Sequence, residues 1–99
     1  MTLREQIGQL FMMGFTGTTV TNDLASFLKS YTPGGVILFR RNLESVQQIV
    51  DLTNGLQKLS PAQPLLIAID QEGGRVSRLP AEFTIFPPCG QLGRCNSSE

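Results

Sequence analysis

Histidine and tryptophan are both missing from this 99-residue chain, tyrosine occurs once and cysteine twice. The loss of histidine removes the commonest general acid/base and the commonest metal ligand from any mechanism built on these residues alone. Cys89 and Cys95 form neither a Cys-x-x-Cys pair nor part of a larger ligand set, so no metal or other cofactor is expected and both read as free thiols. An excess of either charge is lacking too, since eight Lys plus Arg balance eight Asp plus Glu. No net field exists to hold nucleic acid or an anionic membrane surface, and a small neutral ligand suits this balance better. Long apolar runs are also absent. The longest, Leu65 to Ile69, has a strand's length, whereas a bilayer span takes roughly 20 residues. No basic stretch leading into an apolar segment follows Met1, so a cytoplasmic location is expected.

What is present is 40% hydrophobic residues, enough for one small core. Thr2 and Glu5 stand in capping-box register and predict a short first helix running towards Gly8. Leu10 to Phe15 reads as a buried first strand. Leu24, Phe27, Leu28 and Tyr31 fall at i, i+3, i+4 and i+7, the stripe of an amphipathic helix capped by Thr21 or Asn22 and stopped by Pro33-Gly34-Gly35. Val36 to Phe39 is the second strand. A helical period resumes from Leu43 to Leu59, Ser60 to Pro64 breaks it, and Leu65 to Ile69 follows as the third strand.

The two later strands are apolar at every position, the pattern of parallel strands covered on both faces. Helix and strand alternate, which predicts an α/β fold of right-handed crossover units. Beyond Asp70 a long glycine- and proline-rich loop is expected, and Asn96 to Glu99 resembles a helix start with Ser97 or Ser98 as its cap.

The densest polar cluster is Asp70-Gln71-Glu72-Gly73-Gly74-Arg75-Val76-Ser77-Arg78, directly after the third strand. In parallel α/β folds ligands bind beyond the carboxyl ends of the strands. A carboxylate at Asp70 accepts hydrogen bonds only, and suits either two sugar hydroxyls or one arginine. Gly73 and Gly74 allow a sharp turn close to a ligand, and Arg75 and Arg78 each offer a fork of donors. Two readings stand at this point: a ligand site, or an ion pair that braces the loop. Glu72 reads as a partner for Arg75 or for a backbone donor rather than as the second carboxylate of a glycosidase pair. The double glycine matches neither the dinucleotide fingerprint nor the P-loop pattern, and Gly14 to Gly17 also fails both. Arg40, Arg41 and Asn42 read as a solvated start to the next helix, with Asn42 as cap.

Three stretches taken together resemble the amino-terminal barrel of glycoside hydrolase family 3, in its β-N-acetylhexosaminidase branch. They are Ile7 to Phe15, Gly34 to Phe39 with Arg41-Asn42, and Asp70 to Val76 with Arg78-Leu79. The resemblance implies that residues 1–99 are the N-terminal portion of a catalytic domain, the first three β/α units of a parallel TIM-type (β/α)8 barrel that is incomplete at this length. A whole barrel takes about 250 residues.

The resemblance also implies a retaining reaction on terminal β-linked N-acetylglucosamine of muropeptide or chitin-type oligosaccharides. Its nucleophile and histidine acid/base have no counterpart here. What it carries over is substrate binding by Asp70 and Arg78, with Glu72, Gly73, Gly74 and Arg75 supporting the loop. The expected partner is therefore a small carbohydrate, not nucleic acid or membrane, with self-association or the remainder of a barrel completing the fold. A non-enzymatic α/β module that binds a sugar or joins a chain completing the barrel is the other reading.

Overall fold

The computed structural model describes residues 1–95. In chain order it contains α1 (Leu3–Gly8), β1 (Met12–Met13), α2 (Asn22–Tyr31), β2 (Gly35–Leu38), a 3-10 turn (Arg40–Asn42), α3 (Val46–Lys58), β3 (Leu66–Ile69) and α4 (Cys89–Arg94). Each long helix begins where a hydroxyl satisfies a free backbone donor: Thr21 accepts from the Leu24 amide and Ser45 from the Gln48 amide. In α1 the capping box is complete. The Glu5 amide donates to Thr2 Oγ1 at 3.2 Å and the Thr2 amide to Glu5 Oε2 at 2.6 Å.

The strands form one parallel sheet in the order β1-β2-β3, with Met13 beside Val36 and Leu38 beside Ile69. Side chains alternate across it. Val36 and Leu38 point to the helices and, with Leu24 and Leu28 of α2, Leu52 and Leu56 of α3, Phe15 and Leu65, make the core. The opposite face carries Met12 and Leu66, which are 47% and 68% exposed. Among the described residues, helices thus cover one face of an arc whose two outer strands each have a free edge. Among the described residues no helix is long and apolar enough to cross a membrane.

Several expectations need correction. The first strand is two residues long rather than Leu10 to Phe15, and Leu10 and Phe11 are 83% and 63% exposed. Their amides donate to Ile7 O and Gly8 O, so this backbone continues the turn that ends α1 and is unavailable to a ladder. β2 begins at Gly35, the register partner of both Met12 and Leu66, and releases Phe39 into the turn. α3 starts after Ser45, later than the apolar period suggested. β3 is not covered on both faces, as the exposure of Leu66 shows. α4 occupies part of the expected loop, starting directly after Pro88. The expected helix start at residues 96–99, with Ser97 or Ser98 as cap, lies outside the described residues.

Candidate functional site at the carboxyl end of the sheet

Asp70 is held by the sheet. Its amide donates to Leu38 O at 3.3 Å, extending the β2–β3 ladder by one residue. Because Leu38 pairs with Ile69, Asp70 stands opposite Phe39, and alternation puts both side chains on the face without helices. The loop then doubles back. Gly73 and Gly74 have φ of 80° and 62°, in the left-handed region that side chains disfavour. A Cβ at Gly73 would lie 2.8 Å from Pro87 O, and one at Gly74 would lie 2.9 Å from Pro88 Cδ. The Gly74 amide donates to Phe86 O at 2.8 Å, which ties this turn to the segment beyond it.

The returning strand of the loop brings Arg78 to Asp70, with Nη2 3.5 Å from Oδ2. That separation exceeds the roughly 2.7–2.9 Å of a tight charge-assisted hydrogen bond. The side chains are 31% and 36% exposed, so both groups keep hydrogen-bonding capacity towards solvent or a ligand. Nε of Arg78 is buried and has no partner among the described residues. Gln71, which sequence reasoning passed over, sets the return: its Oε1 accepts from the Arg78 amide at 2.7 Å and its Nε2 donates to Ser77 Oγ at 3.0 Å. Only knowledge of the loop closure identifies it, since a glutamine carries no local signal for a partner seven residues away.

Glu72 and Arg75 are both exposed, and Asp70–Arg78 is the only ion pair among the described residues. The expected pairing of Glu72 with Arg75 or with a backbone donor is therefore not found. The turn between them points both side chains to water.

Asn42 departs further from expectation. It is fully buried, accepts from the Phe39 amide at 2.9 Å, and donates to Phe15 O at 3.1 Å and Gly17 O at 2.7 Å. It locks the loop after β1 to the end of β2, and the cap of α3 is Ser45 instead. Arg41 stacks its guanidinium over the Phe39 ring at 4.8 Å while Nε donates to Phe15 O at 3.1 Å. Both cysteines are free and exposed. The described residues contain no group of three or more His, Cys, Asp or Glu able to hold a metal ion. An apolar concavity of about 700 Å³ lies between α1 and α2, lined by Ile7, Phe11, Met13, Phe27 and Tyr31 among others. It is separate from the Asp70 loop.

Residues 2–99 match the family described as Glycosyl hydrolase family 3 N terminal domain. Among curated relatives, the Beta-hexosaminidase of Nitrosomonas eutropha is 48% identical over 82 residues, covering 83% of this chain and 23% of that protein. The Beta-hexosaminidase of Xylella fastidiosa strain M23 is 39% identical over 84 residues, covering 85% of this chain and 25% of that protein. Among solved structures, a glycoside hydrolase family 3 β-N-acetylglucosaminidase from Paenibacillus sp. FPU-7 superposes with a TM-score of 0.87 at 39% identity, over 98% of this chain and 19% of its own. NagZ from Neisseria gonorrhoeae, in complex with N-trifluoroacetyl-D-glucosamine, gives a TM-score of 0.73 at 37% identity, over 84% of this chain and 24% of its own. The chain spans about a quarter of the length of the curated relatives it matches.

Proposed function

Because the chain belongs to glycosyl hydrolase family 3 through its N-terminal domain, we propose that it is the sugar-binding opening of a β-N-acetylhexosaminidase barrel. In this reading the whole enzyme removes terminal β-linked N-acetylglucosamine from muropeptide or chitin-type oligosaccharides by a retaining mechanism. Asp70 and Arg78 supply hydrogen bonds to the non-reducing sugar. Gly73, Gly74 and Gln71 bring Arg78 back to the mouth, and Glu72 and Arg75 lie on the loop's outer side. The observation that carries the proposal is the loose Asp70–Arg78 pair at 3.5 Å, fixed by a strand end on one side and a stapled loop on the other. A cytoplasmic location belongs to the same proposal, supported by two exposed free thiols that suit a reducing compartment.

Two measurements test it. A retaining reaction needs a nucleophile and an acid/base on opposite sides of the bond, and this chain has no histidine to serve as the latter. The purified 99-residue chain is expected to release no nitrophenol from an aryl β-N-acetylglucosaminide; release would overturn the assignment of this segment to binding alone. Asp70→Ala is expected to weaken N-acetylglucosamine binding by about 1.5 kcal/mol, roughly tenfold, the low end for a charge-assisted bond at a partly exposed group. The melting temperature should hold. An unchanged sugar affinity with a lowered melting temperature would make the pair a loop brace instead.

A further inference from the structure

The two cysteines take no part in the site at the carboxyl end of the sheet. Cys89 is the first residue of α4 and Cys95 its C-cap, and both thiols are free and exposed. Cys95 keeps a helical backbone, so the six-residue step sets the two cysteines about 9 Å apart along the axis and about a third of a turn apart around it. A disulfide takes Cα atoms within roughly 7 Å of each other. Helix and disulfide therefore exclude one another.

Little holds the helix against that competition. α4 has six residues, none of them buried, and Pro88 gives it no side-chain cap. Isolated helices shorter than about 12–15 residues are marginal in water. Gly90 and Gly93 stand inside it, where an added Cβ would meet nothing within 4 Å, and glycine is the poorest helix former apart from proline. The Cys95 thiol donates to Gln91 O at 3.5 Å, a weak bond.

Pro88 joins this helix to the glycine turn. Its carbonyl accepts from the Gln91 and Leu92 amides at 2.9 Å and 3.4 Å, which make the first turn of α4. Its ring lies against Gly74, where a Cβ would come within 2.9 Å of Cδ, and two residues earlier Phe86 O accepts from the Gly74 amide at 2.8 Å. We propose that Cys89 and Cys95 are a reversible oxidation site for small-molecule disulfides, and that closing their bond unwinds α4 and frees Pro88 from Gly74. One protein thiolate attacks the small disulfide and expels a small thiolate. The other protein thiolate then attacks the cysteine sulfur of the mixed disulfide and expels the second. The two protein thiols are oxidised to one disulfide, the small disulfide is reduced to two thiols, and the two protons pass to those thiols. Short-lived disulfides of this kind are the form that suits a reducing compartment. The site stands independently of the sugar reading of Asp70 and Arg78.

The test equilibrates the dilute 99-residue chain with mixtures of oxidised and reduced glutathione, quenches with a thiol alkylator, and reads mass, Cα chemical shifts and amide exchange. The expected product is an uncrosslinked chain lighter by two hydrogens. Helical shifts over Cys89–Arg94 should be lost, and the Gly74 amide should exchange about tenfold faster, the scale of one lost hydrogen bond. Gly90→Ala combined with Gly93→Ala strengthens the helix without touching a thiol, and should lower the ratio of disulfide to dithiol about tenfold at the same glutathione ratio. Cys95→Ser should yield only the glutathione adduct at Cys89, with Gly74 exchange unchanged. Glutathione adducts or cross-linked chains as the only products of the unaltered protein overturn the proposal. So does an internal disulfide whose yield ignores the two alanines. An internal disulfide that unwinds α4 while Gly74 exchanges as before overturns the link to the glycine turn.

Discussion

Asn42 meets three backbone groups with one side chain and no exposure to water. Replacing it with alanine strips the part-buried Phe39 amide and Gly17 O of these partners, while Phe15 O keeps Arg41. An unsatisfied buried group costs about 1–3 kcal/mol and a part-buried one less, so Asn42→Ala should destabilise by about 1–3 kcal/mol in urea unfolding. Asn42→Asp should be worse, since a carboxylate would face two carbonyl oxygens without a proton to offer. Sequence reasoning reached this residue only as a helix cap. Its true partners lie 25 and 27 positions earlier in the chain, a distance that no local pattern spans. Glu5 shows the opposite case, where sequence spacing alone gave the interaction. Hydrogen bonds from the Thr2 amide, and then from its hydroxyl, hold the Glu5 carboxyl below the usual carboxylate range. A carboxyl depressed in the folded state favours folding above its unfolded value, and that contribution is lost as pH falls through the folded value. The Thr2 amide resonance should therefore titrate below the usual carboxylate range, and the titration should vanish in Glu5→Gln.

At the level of elements, the helices were the most legible part because their apolar stripes and hydroxyl caps lie within a few residues of one another. Thr21 and Leu24, Leu28 in α2 and Leu52, Leu56 in α3 fall where the period placed them. Strand ends were less legible. Leu10 and Phe11 have strand-like composition, yet their amides complete the turn of α1, and an edge strand with one neighbour gains little by extending. α4 escaped notice because Cys89–Arg94 has only Leu92 as a large apolar side chain and buries none of its residues. The glycine loop is legible in kind, because paired glycines favour a turn through positive φ, which Gly73 and Gly74 adopt. Forcing alanine into the left-handed region costs roughly 1–2 kcal/mol, and at Gly74 the added Cβ also meets the rigid Pro88 ring at 2.9 Å. Gly74→Ala should therefore loosen the segment from Asp70 to Pro88 and weaken sugar binding while the β2–β3 ladder is unaffected. Hydrogen exchange should show lost protection at the Gly74 and Arg78 amides only. Loss spread across α2 and α3 would assign Gly74 to the core instead.

For the molecule as a whole, the three-strand arc leaves surface that a closed fold would bury. The radius of gyration is 15.9 Å, against about 13 Å for a compact domain of 100 residues. Among the described residues both outer strands have unpaired edges, and unpaired edges invite pairing with other chains. The face away from the helices exposes Met12 and Leu66, and the apolar hollow between α1 and α2 adds Ile7, Phe11 and Tyr31. Exposed apolar surface of this kind favours association. The isolated chain should accordingly self-associate, with a sedimentation coefficient that rises with concentration, and should unfold broadly rather than in one sharp, high-temperature step. A monodisperse monomer with cooperative unfolding would contradict the open arc. Leu66→Lys separates the cause from general instability. Leu66 is 68% exposed, so the change removes little packing from the core, while a lysine on the bare face of β3 opposes stacking of one sheet on another. If that face drives association, Leu66→Lys should shift the chain towards monomer at the same concentration without lowering its unfolding midpoint. If the variant associates as before, the free edges or the α1–α2 hollow carry the contact, and Tyr31→Lys in the hollow becomes the change expected to release it.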